Sequence, residues 1–197
     1  MSVDFSILFQ FYGDDFLKLF VVRHGQTEWN YENRVCGVSD VQLTDKGEEQ
    51  ANELSKIIKG KQIDFILTSP LSRAIKTAEI LSRDTSKNLV VDNRLIERDY
   101  GAFEGANRDN TNFLEAKRHF SSKLSGGESI LQVAQRVFNV LDEIKEKYKN
   151  HNVLIVTHGG VCRIINAYFT EQTNEEFYHF HIGNCELKEY HINECDD

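Results

Sequence analysis

The sequence has a single proline, Pro70, in 197 residues, and only one methionine and one tryptophan. With proline so scarce and 12 glycines scattered along it, the chain offers no linker and no low-complexity tract, and no internal repeat marks it as an array. No apolar run approaches the roughly 20 residues needed to cross a bilayer. Segment 1–16 is partly apolar, but it lacks a basic start and carries Asp4, Asp14 and Asp15. It therefore reads as an N-terminal extension or extra edge element rather than a signal peptide. Positive charge is also in short supply: 23 Lys and Arg against 31 Asp and Glu leave a net charge of -8. That excludes a broad nucleic-acid or anionic-membrane surface, while a few arginines can still gather around a small anion. The four cysteines, Cys36, Cys162, Cys185 and Cys195, have the spacing of neither a zinc site nor a disulfide scaffold. Free thiols in a reducing cytoplasm are the expectation.

What is present is the composition of a soluble globular chain, 40% hydrophobic and 27% charged, long enough for one domain over 1–197. Strand and helix patterns alternate. An apolar run at 17–23 ends in Arg23-His24-Gly25, and a second at 153–157 ends in Thr157-His158-Gly159-Gly160. Further short strands are expected at 63–68 and 89–91. Helical periodicity marks 44–59 behind Thr44, a segment opened by Ser69 and Pro70 as cap and first position, a long stretch over 128–149, and 160–169. A short helix is expected near 111–120, and a strand or hairpin at 177–192. This alternation predicts a three-layer α/β/α sandwich around a mostly parallel sheet.

Ligands collect at the carboxyl ends of such strands. If the two histidine-bearing strands are neighbours, His24 and His158 meet there, beside Arg23 and glycines that permit close approach of a ligand. Two imidazoles and arginines suit a phosphoryl group. A neutral imidazole attacks phosphorus, and planar guanidinium groups hold its equatorial oxygens. On this reading His24 is the nucleophile, His158 donates to the phosphoryl oxygens, and Arg23 and Arg73 clamp them. Glu97 protonates the leaving alkoxide, with Asp99 and Glu104 as competing acids.

The motif Arg23-His24-Gly25-Gln26-Thr27-Glu28-Trp29-Asn30 resembles the signature of the histidine phosphatase superfamily, in its phosphoglycerate mutase-like branch. The resemblance continues in order through Arg34 to Gly37, Ser69 to Ala74, Glu97 with Gly101 and Glu104-Gly105, Gly126 to Ser129, and Thr157 to Gly160, covering about residues 18 to 190. It implies a phosphohistidine at His24, a phosphate pocket completed by Arg23, Arg73 and His158, and Glu97 as proton donor. It further implies phosphate binding by Asn30 and the backbone at Gly159, and substrate contacts at Cys36, Gly37, Arg98 and Tyr100. No metal or other cofactor is implied. Cys36 stands where Gln, Ser or Thr is commoner.

Cofactor-dependent mutases of the family carry a longer insert before the Gly126 motif, with a paired arginine that grips a second phosphate. Here the lid insert, 106–125, is short, and its Arg108 and Arg118 are not adjacent. The resemblance therefore implies hydrolysis of a small phosphorylated metabolite rather than transfer. A mutase is the alternative enzyme, and a phosphate-binding module without turnover the alternative outside enzymes. A metal hydrolase using His179 and His181 on one strand face is a third reading, without an acidic ligand cluster to support it. The lid's Arg108, Lys117, Arg118, His119 and Lys123 either meet a second anionic group or face solvent, and solvent is the expectation for most. Specificity is expected from 31–40, 106–125 and 177–184. The sequence carries no expectation of an oligomeric state.

Overall fold

The fold is a computed structural model in which residues 17–83, 88–149 and 151–192 are described; the extension 1–16 and Cys195 lie outside them. Five strands form one sheet: β1 (Leu17–Arg23), β2 (Phe65–Thr68), β3 (Asn88–Val91), β4 (Val153–Thr157) and β5 (Leu187–Ile192). Their order is β3-β2-β4-β1-β5. All pairings are parallel except that of β5 with β1. The antiparallel β5 lies on the open edge of β1, so the sheet is mixed but mostly parallel.

Side chains alternate across the sheet and meet two separate cores. Leu19 and Val21 of β1, with Val153 and Ile155 of β4, pack against α5 (Ile130–Lys147) and α6 (Gly159–Phe169). Phe20, Val22, Leu154 and Val156, the residues between them, pack against α2 (Asp45–Ile58) and α3 (Ser72–Ser82). The expected three layers follow from that alternation. Helix α5 starts where Ser129 and Gln132 form a reciprocal capping box, an arrangement worth about 1 kcal/mol. Three short α-helices also lie among the described residues: α1 (Glu28–Tyr31), α4 (Thr111–Ala116) and α7 (Asn174–His179). No helix among the described residues is long and apolar enough to cross a membrane.

Two sequence expectations change. Helix α3 begins at Ser72 rather than at Ser69-Pro70. The cap of its first turn comes from far away, because the Asp40 carboxylate accepts the Ser72 N–H at 2.9 Å and the Ser72 hydroxyl at 2.6 Å. Segment 177–192 is not a hairpin. Thr173 and Glu176 form a capping box that opens α7, and only Leu187–Ile192 is strand. His179 is thus helical and exposed, while His181 lies in the loop beyond, so the shared strand face expected for them does not form.

Candidate active site

Register brings the two histidines together. Arg23 pairs with Thr157 at the ends of β1 and β4, so His24 and His158 are the next residues on adjacent parallel strands. Their ring centroids lie 5.1 Å apart at an interplanar angle of 59°. Strand β4 sits between β1 and β2 although it is formed much later in the chain, which opens a crevice at their carboxyl ends.

The tautomer of His24 is set by its own backbone. Nδ1 lies 2.7 Å from the Gly25 carbonyl, which can only accept, so Nδ1 carries the hydrogen and Nε2 holds the lone pair. Arg73 Nε donates toward that Nε2 at 3.2 Å and toward His158 Nδ1 at 3.3 Å. With Nδ1 of His158 an acceptor, its Nε2 donates to the Ser69 hydroxyl at 2.6 Å. Both rings are neutral. Burial, then the charges of Arg73 and Arg23, hold His24 well below the ordinary histidine range, and burial and Arg73 do the same for His158.

Arg73 is fully buried and enters from the first turn of α3. Its Nη1 and Nη2 donate to the carbonyls of Ser39 and Gly37 at 2.8 and 2.6 Å. The loop presenting those carbonyls is clipped from behind by Glu104. Its carboxylate accepts the N–H groups of Gly37, Val38 and Ser39 at 3.1, 3.2 and 3.4 Å, and that of Tyr100 at 3.1 Å. Glu104, a competing acid in the sequence reading, thus orients Arg73 through this loop. Glu97 differs from it. Its Oε1 accepts the Arg98 N–H at 2.8 Å and its Oε2 the Gly160 N–H at 2.9 Å, and it lines the cleft beside His24. A Cβ at position 160 would lie 2.5 Å from the Glu97 carboxylate, so only glycine lets the start of α6 come so close.

The cleft holds about 140 Å³. Arg23, His24, Asn30, Cys36, Glu97, Tyr100 and Gly159 all line it, as the sequence reading expects. Arg23 donates through Nη1 to the Ile182 carbonyl at 3.0 Å, while its buried Nε has no partner among the described residues. Asn30 uses its Oδ1 to accept the Thr27 N–H at 3.2 Å, which leaves its amide nitrogen for a ligand. Burial pushes the Cys36 thiol and the Tyr100 hydroxyl up, so both are neutral. Four expected site residues are not among those lining it: Arg73 and His158 reach it only through their contacts with His24, and Gly37 and Arg98 serve elsewhere. Gly37 supports Arg73 from behind. Arg98 is buried with its guanidinium on the carbonyls of Glu128 and Ser122, at 2.9 and 3.1 Å, and lines a separate small cavity.

Of the other lining residues, Phe113, Arg163 and Phe180 carried no sequence signal of their own, while Arg108, Lys117 and His181 were noted without a role in this cleft. Arg108 and Lys117 turn into the cleft, against the expectation of solvent, whereas Arg118, His119 and Lys123 are exposed. Ser69 was legible only as a helix cap. Its hydroxyl accepts the Leu71 N–H at 3.3 Å but also holds His158.

Comparison with known proteins agrees with this geometry. The family profile described as the histidine phosphatase superfamily (branch 1) matches residues 19–196. A 2,3-bisphosphoglycerate-dependent phosphoglycerate mutase of Cytophaga hutchinsonii is 33% identical over 176 residues, 84% of this chain and 83% of its own length. The α-ribazole phosphatase of Shigella flexneri superposes with a TM-score of 0.79 at 26% identity, covering 90% of this chain and 92% of that one. A phosphoserine phosphatase of Entamoeba histolytica, solved with 3-phosphoglyceric acid, gives 0.77 at 26% identity over 88% and 89%.

Proposed function

The chain belongs to the histidine phosphatase superfamily, and from that membership we propose that it is a phosphatase hydrolysing phosphomonoesters of small metabolites through a phosphohistidine at His24. The observation that carries the reading is the His24 ring, which lines the cleft with its Nδ1–H fixed on the Gly25 carbonyl and its Nε2 lone pair met by Arg73 Nε alone. Nε2 attacks phosphorus, the P–O ester bond breaks, and Glu97 delivers a proton to the departing alkoxide. Glu97 then takes a proton from water as that water attacks the phosphohistidine, which releases inorganic phosphate and restores neutral His24. Arg23, Arg73 and Asn30 stabilise the charge on the equatorial oxygens, while His158, whose one N–H goes to Ser69, accepts from Arg73 Nε and orients it, so no step requires a metal. The lid carries one helix of six residues, and such a short cover favours water as the acceptor over a second metabolite.

The test is turnover of an aryl phosphate in the presence of a chelator, combined with rapid quenching. An acid-labile phosphoenzyme and undiminished turnover are expected; an acid-stable adduct or loss of activity to the chelator would sink the reading. Glu97→Gln should slow alkyl phosphates about 10²–10⁴-fold and p-nitrophenyl phosphate far less. Equal losses on both would remove Glu97 from the acid role.

A further inference from the structure

Between α7 and β5 the chain makes a turn that takes no part in the proposed chemistry. Gly183 and Glu186 close it. The Gly183 N–H donates to the Glu186 carboxylate at 2.6 Å, and the Glu186 N–H to the Gly183 carbonyl at 3.2 Å. Within it Cys185 holds a φ of 54°, in the left-handed region that favours glycine and is costly for a residue with a Cβ. Segment 182–185 nevertheless meets the histidine motif at three points. The Ile182 carbonyl accepts Arg23 Nη1 at 3.0 Å. The Cys185 N–H donates to the Arg23 carbonyl at 2.9 Å. The third point is the Asn184 side chain, whose Nδ2 lies 2.8 Å from the His24 carbonyl and 3.2 Å from Asn30 Oδ1.

These contacts fix two amide orientations. A carbonyl only accepts, so the Asn184 atom facing His24 is the amide nitrogen. The Thr27 N–H only donates, so the Asn30 atom 3.2 Å from it is the oxygen. That oxygen therefore receives two N–H groups, one from its own motif and one from a residue 154 positions on. The Asn30 amide nitrogen is left for the cleft that Asn30 lines. Turning the amide over would set its NH2 group against two donors. Asn184 is not among the residues lining that cleft. It borders a separate groove beside α2 with Gln50 and Leu54, so it acts from behind.

We propose that Asn184 is a positioning residue for phosphoryl binding: anchored on the His24 carbonyl, it locks the Asn30 side chain with its amide nitrogen toward the anion. The inference rests on the phosphatase reading, in which Asn30 donates to the equatorial oxygens, and adds the residue that keeps Asn30 a donor there.

Calorimetry with vanadate, a phosphate-like anion, reads the pocket without turnover. Asn184→Leu keeps roughly the same volume and removes the donor. It should weaken vanadate binding about three- to tenfold, the effect of one hydrogen bond. Asn184→Asp keeps the shape but offers only acceptors, so Asn30 turns its nitrogen away from the anion and presents its oxygen. The loss should exceed that of Asn184→Leu, and most of the excess should vanish in Asn30→Ala, where only repulsion through space remains. Each variant is checked for folding by circular dichroism. In the Asn30→Ala background, Asn184→Leu should change vanadate affinity by less than about twofold, because the two residues act in series. A purely structural role would persist in that background. Equal loss in both backgrounds, or no loss in either, overturns the positioning role and leaves the phosphatase standing. Vanadate binding with the expected coupling, but no phosphoenzyme on rapid quenching of the parent, refutes the phosphatase and leaves the positioning of Asn30 standing.

Discussion

The inner half of the cleft is assembled from residues at the ends of paired strands, whereas the outer half comes from a lid helix, a loop after α7 and one arginine of α6. In the inner half, His24 leans on the Gly25 carbonyl, His158 on Ser69, and Arg73 on the carbonyls of Gly37 and Ser39. These groups are almost wholly buried. In the outer half the cations are half-exposed and touch the protein through single neutral groups. A scaffold that fixes the reacting atoms while loops supply the remaining contacts lets one chemistry serve different guests.

Substitutions can break that division at chosen points. The largest effect should come from the inner half. His24→Ala removes the proposed nucleophile, and kcat should fall by about 10⁴-fold or more while circular dichroism stays native. Residual turnover within tenfold of the parent would place the nucleophile elsewhere. Next is Glu104→Gln. An amide offers one acceptor oxygen where a carboxylate offers two, so the loop at 37–39 loosens and Arg73 loses its orientation. A loss of about 10–100-fold in kcat is expected, with little change in KM. In an Arg73→Ala background the same substitution should add almost nothing, because the two act in series. Full additivity would show that Glu104 supports the fold alone.

Acid should weaken the inner half before the outer. His24 and His158 stay neutral when folded, whereas in the unfolded chain each takes a proton below about pH 6.5. The unfolded state then binds more protons, so unfolding free energy falls as pH drops below about 6.5. Each histidine contributes up to about 1.4 kcal/mol per pH unit. Urea midpoints at pH 7.5 and 5.5 would read this, and His24→Ala should flatten the slope. The smallest effect belongs to the lid's outer surface. Arg118→Ala removes an exposed ion pair with Glu175 and should change stability by about 0.5 kcal/mol or less, with turnover unaffected.

Legibility in the sequence follows the same division. Strand β1 was read at its observed limits, and the two histidines were placed together from apolar runs ending in the same dipeptide. Those signals are local, and parallel pairing does the rest. The long α5 was visible in its periodicity, whereas its Ser129 cap emerges only from the structure. What escaped depends on contacts between distant segments. Asp40 caps α3 across 32 residues, Glu104 clips a loop some 65 residues away, and Ser69 holds a ring 89 residues on. None of these has a spacing that a single sequence exposes. The α7 error was of another kind. Thr173-Asn174-Glu175-Glu176 carries a capping-box signature, and the aromatic residues after it were weighed instead as strand.

The one hydrogen on Arg73 Nε is divided between two imidazoles. In the proposed phosphohistidine, that half-share passes to the newcomer's oxygen or to the other ring. Between turnovers the guanidinium acts as a stand-in for the guest, keeping both rings from taking up a proton from solvent. On the proposed mechanism, His24 then needs no prior deprotonation before it attacks.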